Sequence, residues 1–147
     1  MSSPFSAPPR LLGVRLTDTS TTQRHELGTV VTGIDGVRYR YVEAAEAIVQ
    51  YDVVDHDAAF AVSITDANDF AFGVAQVAIA SGSFGWIAIE GVVTAAVAGS
   101  LAAQAELARD CTAGGHLNIV TAGDGAEVPF ALALTGESGG TATVILF

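Results

Sequence analysis

A chain of 147 residues that is half hydrophobic and only 15% charged is long enough for one domain with a real core, which excludes a disordered chain. Six arginines, no lysine and sixteen acidic residues give a net charge of -10, which disfavours nucleic acid as a partner. No run of 18 uninterrupted apolar residues exists, so no transmembrane helix is expected, and the opening MSSPFSAPPR lacks the basic start and apolar run of a secretory signal. The single Cys111 excludes an intrachain disulfide and fits a protein made in a reducing cytoplasm.

Residues 1–27 read as an extended arm and residues 28–147 as a β-rich domain. Pro4, Pro8 and Pro9 forbid a regular helix near the start. Phe5, Leu11, Leu12, Val14 and Leu16 are apolar anchors spaced along the arm, and TDTSTT at Thr17–Thr22 is a polar link. Such an arm docks on its own domain, on a neighbouring subunit or on another protein; adding a strand to a sheet edge is one mode. The plainer alternative is a frayed terminus. Charge is uneven: Arg10, Arg15 and Arg24 against Asp18 and Glu26 leave +1 in the arm, while three arginines against fourteen acids leave -11 in the remainder. A basic arm seeking an acidic surface competes here with simple solvation by surface acids.

Thr29–Thr32 is expected to be a strand, Asp35-Gly36 a hairpin turn and Val37–Val42 the return strand. Arg38 and Arg40 alternate with Val37, Tyr39 and Tyr41; the acid excess favours a cross-strand ion pair over nucleic-acid contact. Glu43–Glu46 suits one helical turn, Ala47–Val54 a strand, Asp55-His56-Asp57 a loop, and Phe60–Thr65 another strand ended by Asp66–Asp69. Phe70–Gly99 is the expected centre: strand, glycine turn at Ser81–Gly85, strand, pivot at Gly91, strand. Leu101–Arg109 is ambiguous between a helix capped by Ser100 and a strand. Gly114-Gly115 opens a turn, Leu117–Val120 is a short strand, and Gly123-Asp124-Gly125 turns the chain again. Phe130–Leu134 and Thr141–Phe147 close as a hairpin around Gly136–Gly140. Many short strands with glycine turns indicate an all-β barrel, sandwich or roll.

No catalytic residue, cofactor site or metal site is assigned. Gly136-Glu137-Ser138-Gly139-Gly140 matches G-x-S-x-G, but all three histidines precede Ser138 and no helix follows, so a hairpin explains it better than a hydrolase elbow. Asp55-His56-Asp57, with Asp52 or Asp66 near, has metal-capable side chains, but neighbours on a strand point to opposite faces and the spacing is not that of an EF-hand. Cys111 and His116 lack the second pair of a structural zinc.

Within Gly73–Gly99 stand Gly73-Val74-Ala75-Gln76, Ala78–Gly82, Gly85-Trp86, Gly91, Thr94 and Val97-Ala98-Gly99. In this pattern the chain resembles the tailed-phage head decoration, or capsid cement, proteins. Gly28–Ala47 and Gly139–Leu146 extend the likeness over residues 28–147. The resemblance implies a small β-clip or β-tulip-like barrel with an extended N-terminal arm. It implies a non-enzymatic virion protein that binds the outside of the expanded capsid as a homotrimer, with the major capsid protein as partner and neither nucleic acid nor membrane. It makes Phe5, Pro8, Pro9, Arg10, Leu11, Leu12, Val14 and Arg15 the capsid-binding arm, and puts Trp86 in the core or at a subunit seam. Alternatives are a head fibre base, a tail component or, from another class, a small β-fold hydrolase.

Overall fold

The computed structural model describes residues 15–66, 71–108, 114–119 and 129–147. Ten strands and no helix occur among them: β1 Val30–Thr32, β2 Arg38–Ala44, β3 Val53–His56, β4 Ala61–Ile64, β5 Gly73–Ala75, β6 Phe84–Ala96, β7 Glu106–Ala108, β8 Asn118–Ile119, β9 Pro129–Ala133 and β10 Thr141–Leu146. β2, β4, β3, β5 and β6 pair in that order, and β6 pairs back onto β2. The result is a closed five-stranded barrel, which removes the open edges a flat sheet of this size would expose. Its pairings are antiparallel except β2–β4, which is parallel. The chain is therefore an all-β small barrel, as composition and turn spacing anticipate.

Alternation along the barrel strands builds two cores at once. Cross-strand partners share a face, so Val42, Ala44, Val54, Val62, Ala75 and Ile87 fill the barrel interior, joined by Ile48 and Ile79. The opposite faces carry Tyr39, Tyr41, Val53, Val74, Trp86 and Ala88, which belong to a second, larger core. That core is roofed by the other sheet, in which β10, β9, β7 and β8 continue from the second half of β6. Val93, Ala95, Leu107, Ala131, Val144 and Leu146 are its inward residues.

β6 serves both sheets, and strict alternation would defeat this. Trp86 and Ala88 face the larger core, so unbroken alternation would next bring Glu90 and Val92 to it. Instead the register slips: Arg38 opposes Glu90 while Tyr39 opposes Ala88, leaving Ile89 as the extra residue of a bulge. Beyond it Val93 and Ala95 face the core, and Glu90 and Val92 face solvent. Gly91 completes the change with φ of 114°, and a Cβ there would lie 3.1 Å from Val37 Cα. Glu90 meets Arg38 at 3.0 Å, the cross-strand ion pair expected from the charge pattern. Both side chains are half exposed, so it contributes at most about 1 kcal/mol.

Three local expectations are corrected, and the reading left open at Leu101–Arg109 is resolved. Glu43 and Ala44 finish β2 rather than starting a helical turn, because β4 and the start of β6 pair with them. Glu46 accepts the Ile64 N–H at 2.8 Å. Ala47–Val54 is not one strand: Ile48 makes a single bridge to Ile79, Tyr51 turns the chain with φ of 74°, and β3 starts at Val53. Asp55 and His56 lie in β3 rather than in a loop. Leu101–Ala108 holds no helix; Gln104 turns with φ of 69° and β7 follows. The expected turn at Gly123–Gly125, Cys111 and the Asp66–Asp69 turn beyond Asp66 lie outside the described residues.

The bulge and pivot should be sensitive to side chains. Gly91→Val is expected to cost about 2 kcal/mol or more in equilibrium denaturation. Gly36→Asn, at another positive φ but with open space around its Cβ position, should stay within about 0.5 kcal/mol of the parent.

Candidate functional site

Two cavities adjoin the place where the arm meets the barrel, and Arg15 lines both. Residues 15–27 run back along the barrel wall. Ser20 forms an antiparallel bridge with Phe84 at the start of β6, its N–H donating to the Phe84 carbonyl at 3.0 Å and its carbonyl accepting the Phe84 N–H at 2.7 Å. Gly85 makes room for this crossing, since a Cβ there would sit 2.9 Å from Ile79 Cδ1 and 3.4 Å from Thr19 Cγ2. The Arg24 N–H donates to the Tyr41 hydroxyl at 3.0 Å, and the Gly28 N–H to the Tyr41 carbonyl at 2.8 Å. Leu16 and Leu27 pack against the larger core.

The first cavity, about 250 Å³, has an aromatic wall and a charged rim. His25 meets Tyr41 edge-on at 5.1 Å and Trp86 at 5.2 Å, Tyr41 and Trp86 lie 4.9 Å apart, and Phe84 stacks on Tyr41 at 6.2 Å. Arg15, Asp18 and Arg24 bring the charges. Arg24 Nε donates to Ser20 Oγ at 3.2 Å. Among the described residues neither Arg15 nor Arg24 forms an ion pair.

The second cavity, about 400 Å³, lies between Leu16, Thr17 and the β1–β2 hairpin, whose tip leaves Ile34 fully exposed. On its wall the Tyr39 hydroxyl donates to Asp35 Oδ2 at 2.8 Å, while Asp35 Oδ1 accepts the Val37 N–H at 3.0 Å. Burial, then the hydrogen bond to Asp35, then the charge of Asp35 push the Tyr39 pKa well above its ordinary value.

Of the residues singled out by sequence, Arg15 stands exposed at the mouth of both cavities. Trp86 is 3% exposed, in the larger core, with one side on the first cavity. Phe5, Pro8, Pro9, Arg10, Leu11, Leu12 and Val14 lie outside the described residues. The convergence of Arg24, His25 and Tyr41 on Arg15 was not anticipated. The tyrosine–arginine alternation of β2 hinted at it only by placing Tyr41 on an apolar face.

The other candidate chemistries resolve into structural roles. The Ser138 N–H and carbonyl close the β9–β10 hairpin against Thr141, and the Glu137 carboxylate accepts the Gly140 N–H. His56 lies against Phe72 at 3.8 Å and Phe60 at 5.5 Å, and the Arg40 guanidinium covers the same two rings at 5.5 and 5.4 Å. His116 Nδ1 bonds the Gly114 carbonyl at 2.5 Å. Among the described residues no group of three or more His, Cys, Asp or Glu side chains is placed to hold a metal ion.

No protein-family model and no curated protein matches the chain. Among solved structures it is similar to the N base of head fibre gp8.5 of bacteriophage phi29, with a TM-score of 0.57 and 14% identity, over 74% of this chain and 92% of that one. At that identity the likeness is one of fold.

The Tyr39–Asp35 contact sets a pH dependence. The folded state keeps the Tyr39 proton where the unfolded chain loses it, near the ordinary tyrosine value of about 10, so this contribution to stability is intact below that pH and is lost above it. Tyr39→Phe should flatten this alkaline loss and cost about 1–3 kcal/mol at neutral pH, measured by denaturation at a series of pH values. In the phenolate difference spectrum of parent minus variant, the Tyr39 signal should emerge well above the ordinary value.

Proposed function

We propose that this chain is an accessory structural protein of a tailed-phage head, seated on the outer surface of the expanded shell as a homotrimer and holding the major capsid protein through its arm. The observation that carries this reading is the fold shared with a phage head fibre base. It agrees with the resemblance of residues 28–147 to head decoration proteins, which rests on sequence. The physics of the role is consistent with the chain. Closure leaves the five barrel strands paired on both sides, and an acidic body resists aggregation. Arms from three subunits engaging adjacent capsomers would convert modest contacts into a durable clamp. In this reading the shell contacts are made by Phe5, Pro8, Pro9, Arg10, Leu11, Leu12 and Val14, with Arg15 at the point where the arm leaves the barrel.

A second reading, the base of a head fibre, is favoured by the same structural neighbour. It differs in where and how often the protein sits: a fibre base occupies few sites, a cement protein every equivalent junction. The protein is proposed to be non-enzymatic.

The arm is tested by deleting residues 1–14, which leaves every described contact of the barrel in place. The truncated protein should fold with an unchanged circular dichroism spectrum and co-sediment with expanded, undecorated heads at least about tenfold more weakly than the full chain. Equal co-sedimentation would remove the arm as the anchor.

A further inference from the structure

We infer that the cavity at the arm root is a receptor for a single carboxylate side chain presented on an extended segment of a partner protein. On the reading above that partner is the shell protein, so the inference deepens that reading and names the chemistry of one contact.

Charge supplies the first argument. The chain beyond residue 27 carries -11, yet Arg15 and Arg24 converge here with Asp18 as the one acidic residue lining the cavity. The two arginines and Asp18 together leave one net positive charge, which one carboxylate neutralises and a phosphate dianion overshoots. Donor geometry supplies the second. Arg38 is committed to Glu90 and Arg40 to two phenylalanine rings, whereas Arg15 and Arg24 form no ion pair among the described residues. Ser20 Oγ holds Arg24 by Nε, leaving the terminal nitrogens of its guanidinium to meet both oxygens of a carboxylate. The third is the wall. The partly exposed Phe84 ring, backed by the buried Tyr41 and Trp86, gives an apolar surface for the methylenes of a glutamate. A site for a bare inorganic anion needs no such surface. The backbone on both sides is fixed, by the Ser20–Phe84 bridge and the Arg24–Tyr41 hydrogen bond, so little ordering is left to the moment of binding.

Trp86, the chain's only tryptophan, lines this cavity and reports on it. The full chain is titrated with a capped Gly-Gly-Glu-Gly-Gly peptide, its glutamine counterpart and inorganic phosphate, following Trp86 fluorescence. The glutamate peptide should give a saturable change that the glutamine peptide and phosphate do not. Arg15→Gln and Arg24→Gln should each weaken it about tenfold, with near-ultraviolet circular dichroism unchanged because both side chains are exposed. Arg15→Lys with Arg24→Lys, which keeps charge and loses the planar fork, should fall between parent and glutamine variants. The inference is overturned if the two peptides act alike, if phosphate saturates the signal and the glutamate peptide does not, or if the arginine variants bind as the parent does. A fluorescence change on raising protein concentration alone that Arg15→Gln and Arg24→Gln abolish would make a second copy the occupant and also overturn it. The assay contains no phage particle. Its failure with intact head binding removes only the receptor, and its success without head binding removes only the head reading.

Discussion

The structure depends on one strand belonging to two sheets. β6 closes the barrel through β2 and β5, then leaves it to carry β10 and the sheet behind. A strand with a fixed two-residue period cannot keep one face toward a single core while its path bends away from the barrel. The extra residue at Ile89 and the positive φ of Gly91 resolve the conflict by shifting the phase of alternation. Trp86 and Ala88 on one side of the shift and Val93 and Ala95 on the other therefore meet in the same core. Without the shift, Glu90 would be driven inward and the second sheet would lose its inner face.

The candidate site follows from that arrangement. The larger core covers the outer wall of the barrel, and the first cavity lies at its margin, at the start of β6. Tyr41 and Trp86 lie opposite each other across the β2–β6 pairing, so their rings form a floor at that margin. The returning arm is bonded to this floor through Ser20 and Arg24, and brings Arg15 beside it. Structural aromatics thus become the wall of a recess whose rim is supplied by a different part of the chain. Among the described residues Arg15 and Arg24, neither in an ion pair, line one recess of an acidic protein and give it a directional surface.

Much of the fold was legible in the residues. β-branched runs bounded by glycine or by aspartate turns marked β1, β2, β4 and β10, and Asp35-Gly36 marked the first hairpin, because these signals act locally. Readings failed where a tertiary partner overrode a local preference. Alanine and glutamate at Glu43–Glu46 suit a helix, yet pairing to β4 and β6 holds Glu43 and Ala44 extended. An apolar run through Tyr51 looked continuous because nothing in a tyrosine announces a left-handed corner. The bulge was invisible for a related reason: the pivot glycine could be read, but the phase shift beside it is a property of the pairing. The site was the least legible part. Arg15 and Arg24 are far along the chain from Trp86, and only barrel closure brings β6 beside β2 and the arm root onto both.

The central claim, a barrel that seats on the exterior of a phage head, is tested most directly by cryo-electron microscopy of expanded, undecorated heads saturated with the full chain. The account predicts density for the barrel at the three-fold and quasi-three-fold junctions, with a connection from the arm root into the shell beneath. Density confined to a single vertex or to the tail would contradict the cement role, and absence of density from every virion component would contradict the claim itself.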